Sequence, residues 1–279
     1  MKTKQVILIT GCSKGFGLET SIVLAQKGHR VFSSMRNLKK QDKLRELSQG
    51  LPVYPLEIDV DKPSSIKKGV QYVLKQTGKI DVLINNAGLG SWGPLEEFND
   101  QEMHHQFETN VFGLLRMTRA VLPVMRQQKQ GRILNIGSLA GRIAVPGMGL
   151  YCASKYAVRA LTNVLRIETQ SFGIQVTVIE PGPFKTNFVE NQIIPQTELK
   201  ACYQTLMKKL NALNKNRFRS SATIVGLKIA EIIESSKPMK ICYPVGREAH
   251  IFSLLEKILP QGFFYQRMAS FFRRTAVSD

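Results

Sequence analysis

A tyrosine and a lysine four residues apart, Tyr151 and Lys155, have types and a spacing that predict chemistry. On a helix, side chains four positions apart lie on one face, so the lysine ammonium lies beside the phenol. A free phenol has a pKa of about 10, and a fixed neighbouring cation lowers that pKa towards neutral pH. The pair therefore predicts a general acid or base, although the same spacing also arises on helices that have no chemical role.

A glycine-rich turn near the N-terminus predicts a dinucleotide site. The apolar, β-branched run Val6–Thr10 is typical of a strand buried on both faces. It leads into the pattern T-G-x-x-x-G-x-G at Thr10–Gly17, and helical periodicity follows from Leu18. In this arrangement backbone N–H groups and a helix N-terminus hold a pyrophosphate. The alternative is a tight strand-to-helix turn that only allows close packing.

Two cations near this turn favour a phosphorylated cofactor. Arg36 stands at the end of the second predicted strand, and Lys14 lies inside the glycine turn. An acidic residue at that strand end binds the ribose hydroxyls of NAD, whereas an arginine suits the 2′-phosphate of NADP. We therefore expect NADP(H) to be preferred over NAD(H), the alternative being that both cations are ordinary surface charges.

Apolar runs alternate with helical patterns along the chain, which predicts an α/β fold with a doubly wound, mostly parallel seven-stranded sheet in three layers. Helices are expected at 62–76, 100–127, 151–172 and 223–233, and residues 1–279 are expected to form a single dinucleotide-binding and catalytic domain. The predicted strands cover residues 6–10, 29–34, 53–59, 80–84, 132–136, 175–179 and 240–244.

Two segments fall outside this alternation. A long connection at about 184–219 follows the sixth predicted strand and is expected to form part of a substrate-binding insertion or lid. The tail at about 251–279 is amphipathic and carries phenylalanines interleaved with arginines. The tail is expected to pack on the body, on the lid or on another subunit, and the alternative is an interfacial membrane anchor.

Composition limits the partners. The formal net charge is +18 and the pI is about 9.9, which suggests attraction to something acidic. The basic residues are spread along the chain, which favours a solvated basic surface over a nucleic-acid site. Four cysteines without a C-x-x-C pair predict free thiols and no metal. With no signal peptide or membrane span in the sequence, we expect a cytoplasmic location, with peripheral membrane association through the tail as the alternative.

The motifs occur together in the order and context of one family. The chain resembles the short-chain dehydrogenase/reductase superfamily over roughly residues 4 to 190, and within it the NADP-type branch that contains 17β-hydroxysteroid and retinol dehydrogenases. The residues that carry the resemblance are Thr10–Gly17, Asp59, Asn85–Gly88, Asn110, Ser138, Tyr151, Lys155 and Pro181-Gly182.

The resemblance implies a role for each matching residue. Tyr151 is the acid or base, Ser138 hydrogen-bonds the substrate carbonyl, Lys155 lowers the tyrosine pKa and holds the nicotinamide ribose, and Asn110 holds a water that links Lys155 to solvent. The expected cofactor-binding residues are Gly11, Ser13, Lys14, Gly15, Phe16, Gly17, Arg36, Asp59, Val60, Asn86, Ala87, Gly88, Tyr151, Lys155, Pro181, Gly182 and Thr186.

The expected substrate is a small hydrophobic alcohol, ketone or aldehyde that is steroid-, retinoid- or lipid-like. Ser91, Trp92, Met148 and Phe184 are expected to wall its pocket, which is largely apolar. The alternatives are a 3-oxoacyl-carrier-protein reductase and a dinucleotide-binding sensor without turnover. The resemblance also implies a homodimer or homotetramer, paired through the helices at 100–127 and 151–172.

Overall fold

A seven-stranded parallel sheet forms the centre of the protein. The computed structural model describes residues 4–186, 188–196, 199–214 and 220–274. All neighbouring strands of this sheet run parallel, in the order β7-β6-β5-β4-β1-β2-β3. The strands are β1 (Val6–Ile9), β2 (Arg30–Met35), β3 (Val53–Glu57), β4 (Val82–Asn85), β5 (Gly131–Ile136), β6 (Ile174–Pro181) and β7 (Cys242–Val245).

Helices cover both faces of the sheet. Ile7 and Ile9 of β1 are buried on the side that also holds the helices at Gly15–Gln26 and Thr223–Glu234. Leu8 is buried on the opposite side, with the helices at Pro63–Thr77 and Leu114–Gln128. This alternation follows from the two-residue period of a strand, and it confirms the three-layer, doubly wound prediction. The helices are α1 (Gly15–Gln26), α2 (Asp42–Leu47), α3 (Pro63–Thr77), α4 (Asp100–Phe107), α5 (Leu114–Gln128), α6 (Gly149–Thr169), α7 (Ala201–Asn214), α8 (Thr223–Glu234), α9 (Arg247–Ile258) and α10 (Gln261–Arg274).

The strand order reverses beside β1, which pairs with β2 on one side and with β4 on the other. In open parallel sheets a crevice forms at such a point, outside the carboxyl ends of the strands, and ligands bind there. Thr10 and Asn86 follow the carboxyl ends of β1 and β4 at this crevice. The glycine turn therefore lies where a dinucleotide is expected.

The stretch predicted as one helix at 100–127 is helical throughout, but it is not a regular α-helix throughout. The structure has α4, then a π-helical segment at Glu108–Gly113, then α5. A π-segment carries wider i→i+5 hydrogen bonding, and such segments occur often at functional sites. Asn110 lies inside it, so this residue is not part of a regular α-helix.

The two additional segments contain their own elements. Two short parallel strand pairs join the insertion to its surroundings: Phe184–Lys185 with Ser220–Ser221, and Gln192–Ile193 with Gly90–Ser91. The helix α7 follows Gln192–Ile193 in the chain and precedes Ser220–Ser221. The tail contains most of α9 and all of α10. Residues 187, 197–198, 215–219 and 275–279 of the predicted insertion and tail lie outside the described residues. The organisation of residues 1–279 as one domain stays a prediction.

Candidate active site

The four expected catalytic residues come from different elements and meet at the carboxyl edge of the sheet. Tyr151 and Lys155 lie on the first turns of α6, Ser138 follows β5, and Asn110 lies in the π-segment. The backbone N–H of Tyr151 donates to Ser91 Oγ at 2.9 Å. This contact fixes the start of α6 where its own backbone N–H groups have no helical partner.

The Tyr151 side chain is buried beside Ser138. Tyr151 is only 8% exposed, and the interaction with the Ser138 hydroxyl lowers its pKa. Ser138 Oγ also accepts a bond from the backbone N–H of Ala140 at 3.1 Å, which fixes the hydroxyl at the start of a short 3₁₀ turn. Lys155 Nζ lies 5.7 Å from the Tyr151 ring centre. The structure thus brings the predicted hydroxyl pair and the cation together.

The pKa of Tyr151 is shifted in the direction opposite to the one that the sequence predicts. Burial raises the pKa of Tyr151 to about 12, and the interaction with the Ser138 hydroxyl opposes that rise. Burial also lowers the pKa of Lys155 to about 8. Lys155 Nζ donates to the carbonyl of Ile136 at 2.7 Å, so this ammonium is directed at the sheet. In the protein alone, loss of hydration is therefore the main influence on the pKa of Tyr151.

Asn110 connects the π-segment to Leu89 and to Ser154 of α6. Its Oδ1 accepts from the Leu89 N–H at 2.7 Å, and its Nδ2 donates to the Leu89 carbonyl and to Ser154 Oγ, both at 2.9 Å. Both amide hydrogens are therefore used within the protein, and the expected water at Asn110 stays a prediction. A Cβ on Gly88 would lie 3.2 Å from Asn110 Oδ1 and 3.7 Å from Lys155 Nζ, which places these two polar groups around one glycine.

The glycine turn has the shape of a phosphate cradle. Gly11 and Gly15 have φ angles of +74° and +62°, in the left-handed region that favours glycine. A Cβ on Gly17 would lie 2.5 Å from the carbonyl oxygen of Gly11, so a side chain there would fill the turn. Ser13 to Phe16 are only partly buried. The residues present therefore fit a dinucleotide pyrophosphate at the N-terminus of α1.

Asn86 braces this turn from the neighbouring strand. Its Nδ2 donates to the carbonyls of Thr10 at 2.8 Å and Gly11 at 3.0 Å. Thr10 Oγ1 in turn accepts from the N–H groups of Asn86 and Ala87, each at 3.0 Å. The amide donors of Asn86 are thereby used inside the protein, and the expected place of this residue in the cofactor site stays a prediction.

Two further expected cofactor residues are engaged by the protein itself. The Val60 side chain is buried in the core, where a Cβ on Gly113 would meet it at 2.8 Å, so its side chain does not face a ligand. Asp59 Oδ1 accepts from the Asp61 N–H at 3.2 Å, and Oδ2 lies 3.4 Å from Lys62 Nζ. Asp59 thus shapes the loop after β3.

The two expected phosphate-binding cations have different surroundings. Arg36 is exposed at the end of β2. Lys14 Nζ instead lies 3.0 Å from Glu190 Oε2, in a pair whose side chains are 34% and 61% exposed. An anion at Lys14 would compete with this carboxylate, whereas Arg36 is open to solvent.

The residues that follow β6 lie close to the glycine turn. Gly182 donates its N–H to the Val245 carbonyl at 2.9 Å, which holds the end of β6, at Pro181, against β7. A Cβ on Gly15 would lie 3.7 Å from Thr186 Cβ. Thr186 therefore lies next to the turn, and its expected contact with the nicotinamide stays a prediction.

The four expected substrate residues divide into two groups. Met148 packs with Tyr151, and Trp92 Nε1 donates to Asn211 Oδ1 of α7 at 2.9 Å, so both remain beside the site. Ser91 is 0% exposed and its hydroxyl is used by Tyr151. Phe184 is 3% exposed and packs edge-on against Phe16 with ring centres 5.6 Å apart. The expectation that Ser91 and Phe184 wall the pocket is therefore corrected.

Sequence reasoning missed Phe188, which lies in the insertion. Its ring packs on Tyr151 with centres 5.1 Å apart and an interplanar angle of 60°. A Cβ on Gly90 would meet the same ring at 2.6 Å. No local pattern indicates this contact, because it joins residues far apart in the chain.

Similarity to known proteins agrees with the fold. The family model for short chain dehydrogenase matches residues 5–196. A 3-ketodihydrosphingosine reductase from Bacteroides thetaiotaomicron is 38% identical over 192 residues, which is 69% of this chain and 68% of that protein. Human 17-beta-hydroxysteroid dehydrogenase type 1 is 37% identical over 195 residues, 67% of this chain and 59% of that protein.

A solved short-chain dehydrogenase from Streptomyces avermitilis has the same fold over nearly the whole length. The TM-score is 0.82 at 27% identity, and the match covers 96% of this chain and 98% of that one. The chain belongs to the short chain dehydrogenase family. It is therefore an oxidoreductase of a family that uses a nicotinamide dinucleotide.

Proposed function

We propose that the protein is an NADP(H)-dependent oxidoreductase that interconverts a lipophilic secondary alcohol and its ketone, or an aldehyde and its alcohol. The observation that carries this proposal is the placement of the Tyr151 side chain beside Ser138, with Lys155 Nζ 5.7 Å from the tyrosine ring centre. The Thr10–Gly17 cradle lies at the same edge of the sheet. A hydroxyl pair beside a nicotinamide site supplies what carbonyl reduction needs from the protein.

The roles follow from the chemistry. When bound, the reduced dinucleotide supplies a hydride to the carbonyl carbon. The negative charge that develops on the carbonyl oxygen accepts a hydrogen bond from Ser138 and a proton from the Tyr151 hydroxyl. Lys155 is a cation below a pH of about 8 and stabilises the tyrosinate that remains. In alcohol oxidation, the same tyrosinate takes the hydroxyl proton.

The proposed substrate class rests on the apolar groups around Tyr151. The Phe188 ring packs on Tyr151, and Met148 packs against the buried cluster that contains Tyr151. Trp92 precedes Gly93, which pairs with Met148. One relative, at 38% identity, is named for the reduction of a sphingoid ketone, which is consistent with a long apolar chain next to the carbonyl. A 3-oxoacyl-carrier-protein reductase is the second candidate, because the net charge of +18 suits an acidic carrier.

A substrate panel tests the proposal. Reduced NADP is supplied with steroid, retinoid and long-chain ketones or aldehydes, with an acyl-carrier thioester, and with short water-soluble ketones. We expect turnover of lipophilic carbonyls with kcat/KM at least about tenfold above that of the short ketones, because burying each additional CH₂ contributes about 0.8 kcal/mol. Preference for the carrier thioester would support the second candidate. Binding of the dinucleotide without turnover of any carbonyl would contradict both and indicate a sensor.

Arg36→Asp tests the cofactor preference. The substitution replaces an exposed cation by a carboxylate that repels the 2′-phosphate and accepts ribose hydroxyls. We expect NADPH affinity to fall about 10–100-fold while NADH affinity is kept or improved, as measured by titration of cofactor fluorescence. Lys40→Asp, at an exposed position after the same strand, makes the same charge change and serves as the control. Equal losses for the two cofactors in Arg36→Asp would show that Arg36 has no role at the phosphate.

A further inference from the structure

The C-terminal helices α9 and α10 dock on the body through polar contacts on their inner side. The Glu256 carboxylate accepts hydrogen bonds from Arg142 Nη1 at 2.6 Å and from Arg159 Nη1 at 3.3 Å. Tyr265 Oη accepts from the backbone N–H of Ala144 at 3.1 Å. The helices are thereby fixed to the loop that connects Ser138 with α6, close to the active site.

The outer side of the same helices is apolar. Ile251, Leu254 and Ile258 of α9 are 45%, 59% and 67% exposed, and Phe263 of α10 is 47% exposed. The three α9 positions are spaced i, i+3, i+7, so they share one helix face. We call the four residues Ile251, Leu254, Ile258 and Phe263 the outer stripe. The inner face already docks this helix on the body. Exposed leucine and isoleucine on its outer face therefore indicate a surface that contacts another molecule.

Positive charge dominates the sequence of the two helices. Residues 247–274 contain five basic residues against two acidic ones. One of the two acids, Glu256, is already paired with Arg142 and Arg159, and Arg267 lies 5.2 Å from the Phe263 ring centre. The basic residues are Arg247, Lys257, Arg267, Arg273 and Arg274. Exposed apolar side chains in a basic segment fit an anionic lipid surface, whereas a second copy of this chain would present the same positive charge.

The first of the two helices, α9, begins at the edge of the sheet that also holds the active site. It starts directly after the carboxyl end of β7, and a Cβ on Gly182 would lie 3.3 Å from the Ala249 backbone nitrogen. Within residues 4–186, 188–196, 199–214 and 220–274, no helix is both long and apolar enough to cross a bilayer.

We infer that the outer stripe of α9 and α10 binds the surface of an anionic bilayer and places the Tyr151 site next to lipids. This inference extends the proposed function, because a lipophilic substrate would then enter from the membrane. Its test does not require turnover, so it succeeds or fails independently of the proposed activity.

The test is flotation of the full chain with vesicles of phosphatidylcholine, with and without phosphatidylserine. Wild type is expected to float with the anionic vesicles and at least about tenfold less with the neutral ones. The double variant Leu254→Glu, Ile258→Glu is expected to lose at least about tenfold of the anionic-vesicle binding, since it removes exposed apolar area and adds two like charges. The matched control is Ile224→Glu, Leu227→Glu on α8, where the side chains are 44% and 53% exposed.

Three outcomes would overturn the inference. One is equal flotation of the outer-stripe variant and wild type. Another is equal loss in the α8 control, which would indicate a general charge effect. The third is the absence of wild-type flotation together with a smaller assembly of the outer-stripe variant in light scattering, which would show that a second copy covers the stripe.

Discussion

Tyr151→Phe is expected to bind the dinucleotide as the wild type does while its turnover falls by about 10²–10⁴-fold. The substitution removes only the hydroxyl oxygen, and the ring contact with Phe188 is kept. Without that hydroxyl, the reduced substrate oxygen has no positioned proton donor, whereas Ser138 keeps its hydrogen bond from the Ala140 N–H. The effect should fall on kcat, because the interaction that is lost operates in the transition state.

The measurement compares steady-state kcat with cofactor affinity from fluorescence titration. Tyr72→Phe is the matched control, since it removes the hydroxyl of a tyrosine that is 47% exposed on α3. That control should keep both quantities. A Tyr151→Phe enzyme that turns over lipophilic ketones at near wild-type rates would show that another group delivers the proton.

Gly17→Ala is expected to destabilise the protein and to abolish tight cofactor binding. The added Cβ would lie 2.5 Å from the Gly11 carbonyl oxygen and 2.6 Å from Asn86 Nδ2. Neither neighbour is the end of a flexible side chain, because Asn86 is held by the Thr10 and Gly11 carbonyls. Overpacking of this kind costs about 1–3 kcal/mol, and it displaces the backbone N–H groups that hold the pyrophosphate.

Denaturant unfolding and NADPH titration measure the two effects. We expect the unfolding free energy to fall by about 1–3 kcal/mol and the affinity for NADPH to fall by at least about 100-fold. Gly262→Ala is the control, since nothing lies within 4 Å of a Cβ there and the residue is in α10. It should change stability by no more than about 1 kcal/mol. Normal NADPH affinity in Gly17→Ala would contradict the cradle.

The sheet could be predicted from sequence because its physical signal is local. Runs such as Val6–Ile9 are apolar without interruption, as strands covered on both faces must be. The alternation with helices then leaves few topologies, and the parallel order follows. The strand ends were predicted less well. β6, for example, extends to Pro181, because pairing with β7 continues two residues beyond the apolar run.

Site residues were predictable as a set, but their individual contacts were not. Residue type alone does not reveal that Ser91 accepts the Tyr151 N–H or that the Asn86 amide faces the glycine turn. The sequence shows one neighbour that acts on the pKa of Tyr151, which is Lys155. The degree of burial, which raises this pKa, depends on everything packed around the ring. Contacts made by the insertion, such as that of Phe188, join distant parts of the chain and leave no local pattern.

The central claim is that this site transfers a hydride to a carbonyl carbon and a proton from Tyr151 to its oxygen. The most direct test supplies a reduced dinucleotide deuterated at the transferable position of C4, with a lipophilic ketone from the panel. We predict that the alcohol formed by wild type carries deuterium on its carbinol carbon and that Tyr151→Phe forms almost none of it. Binding of the dinucleotide by wild type without deuterium in the product of any panel carbonyl would contradict the claim.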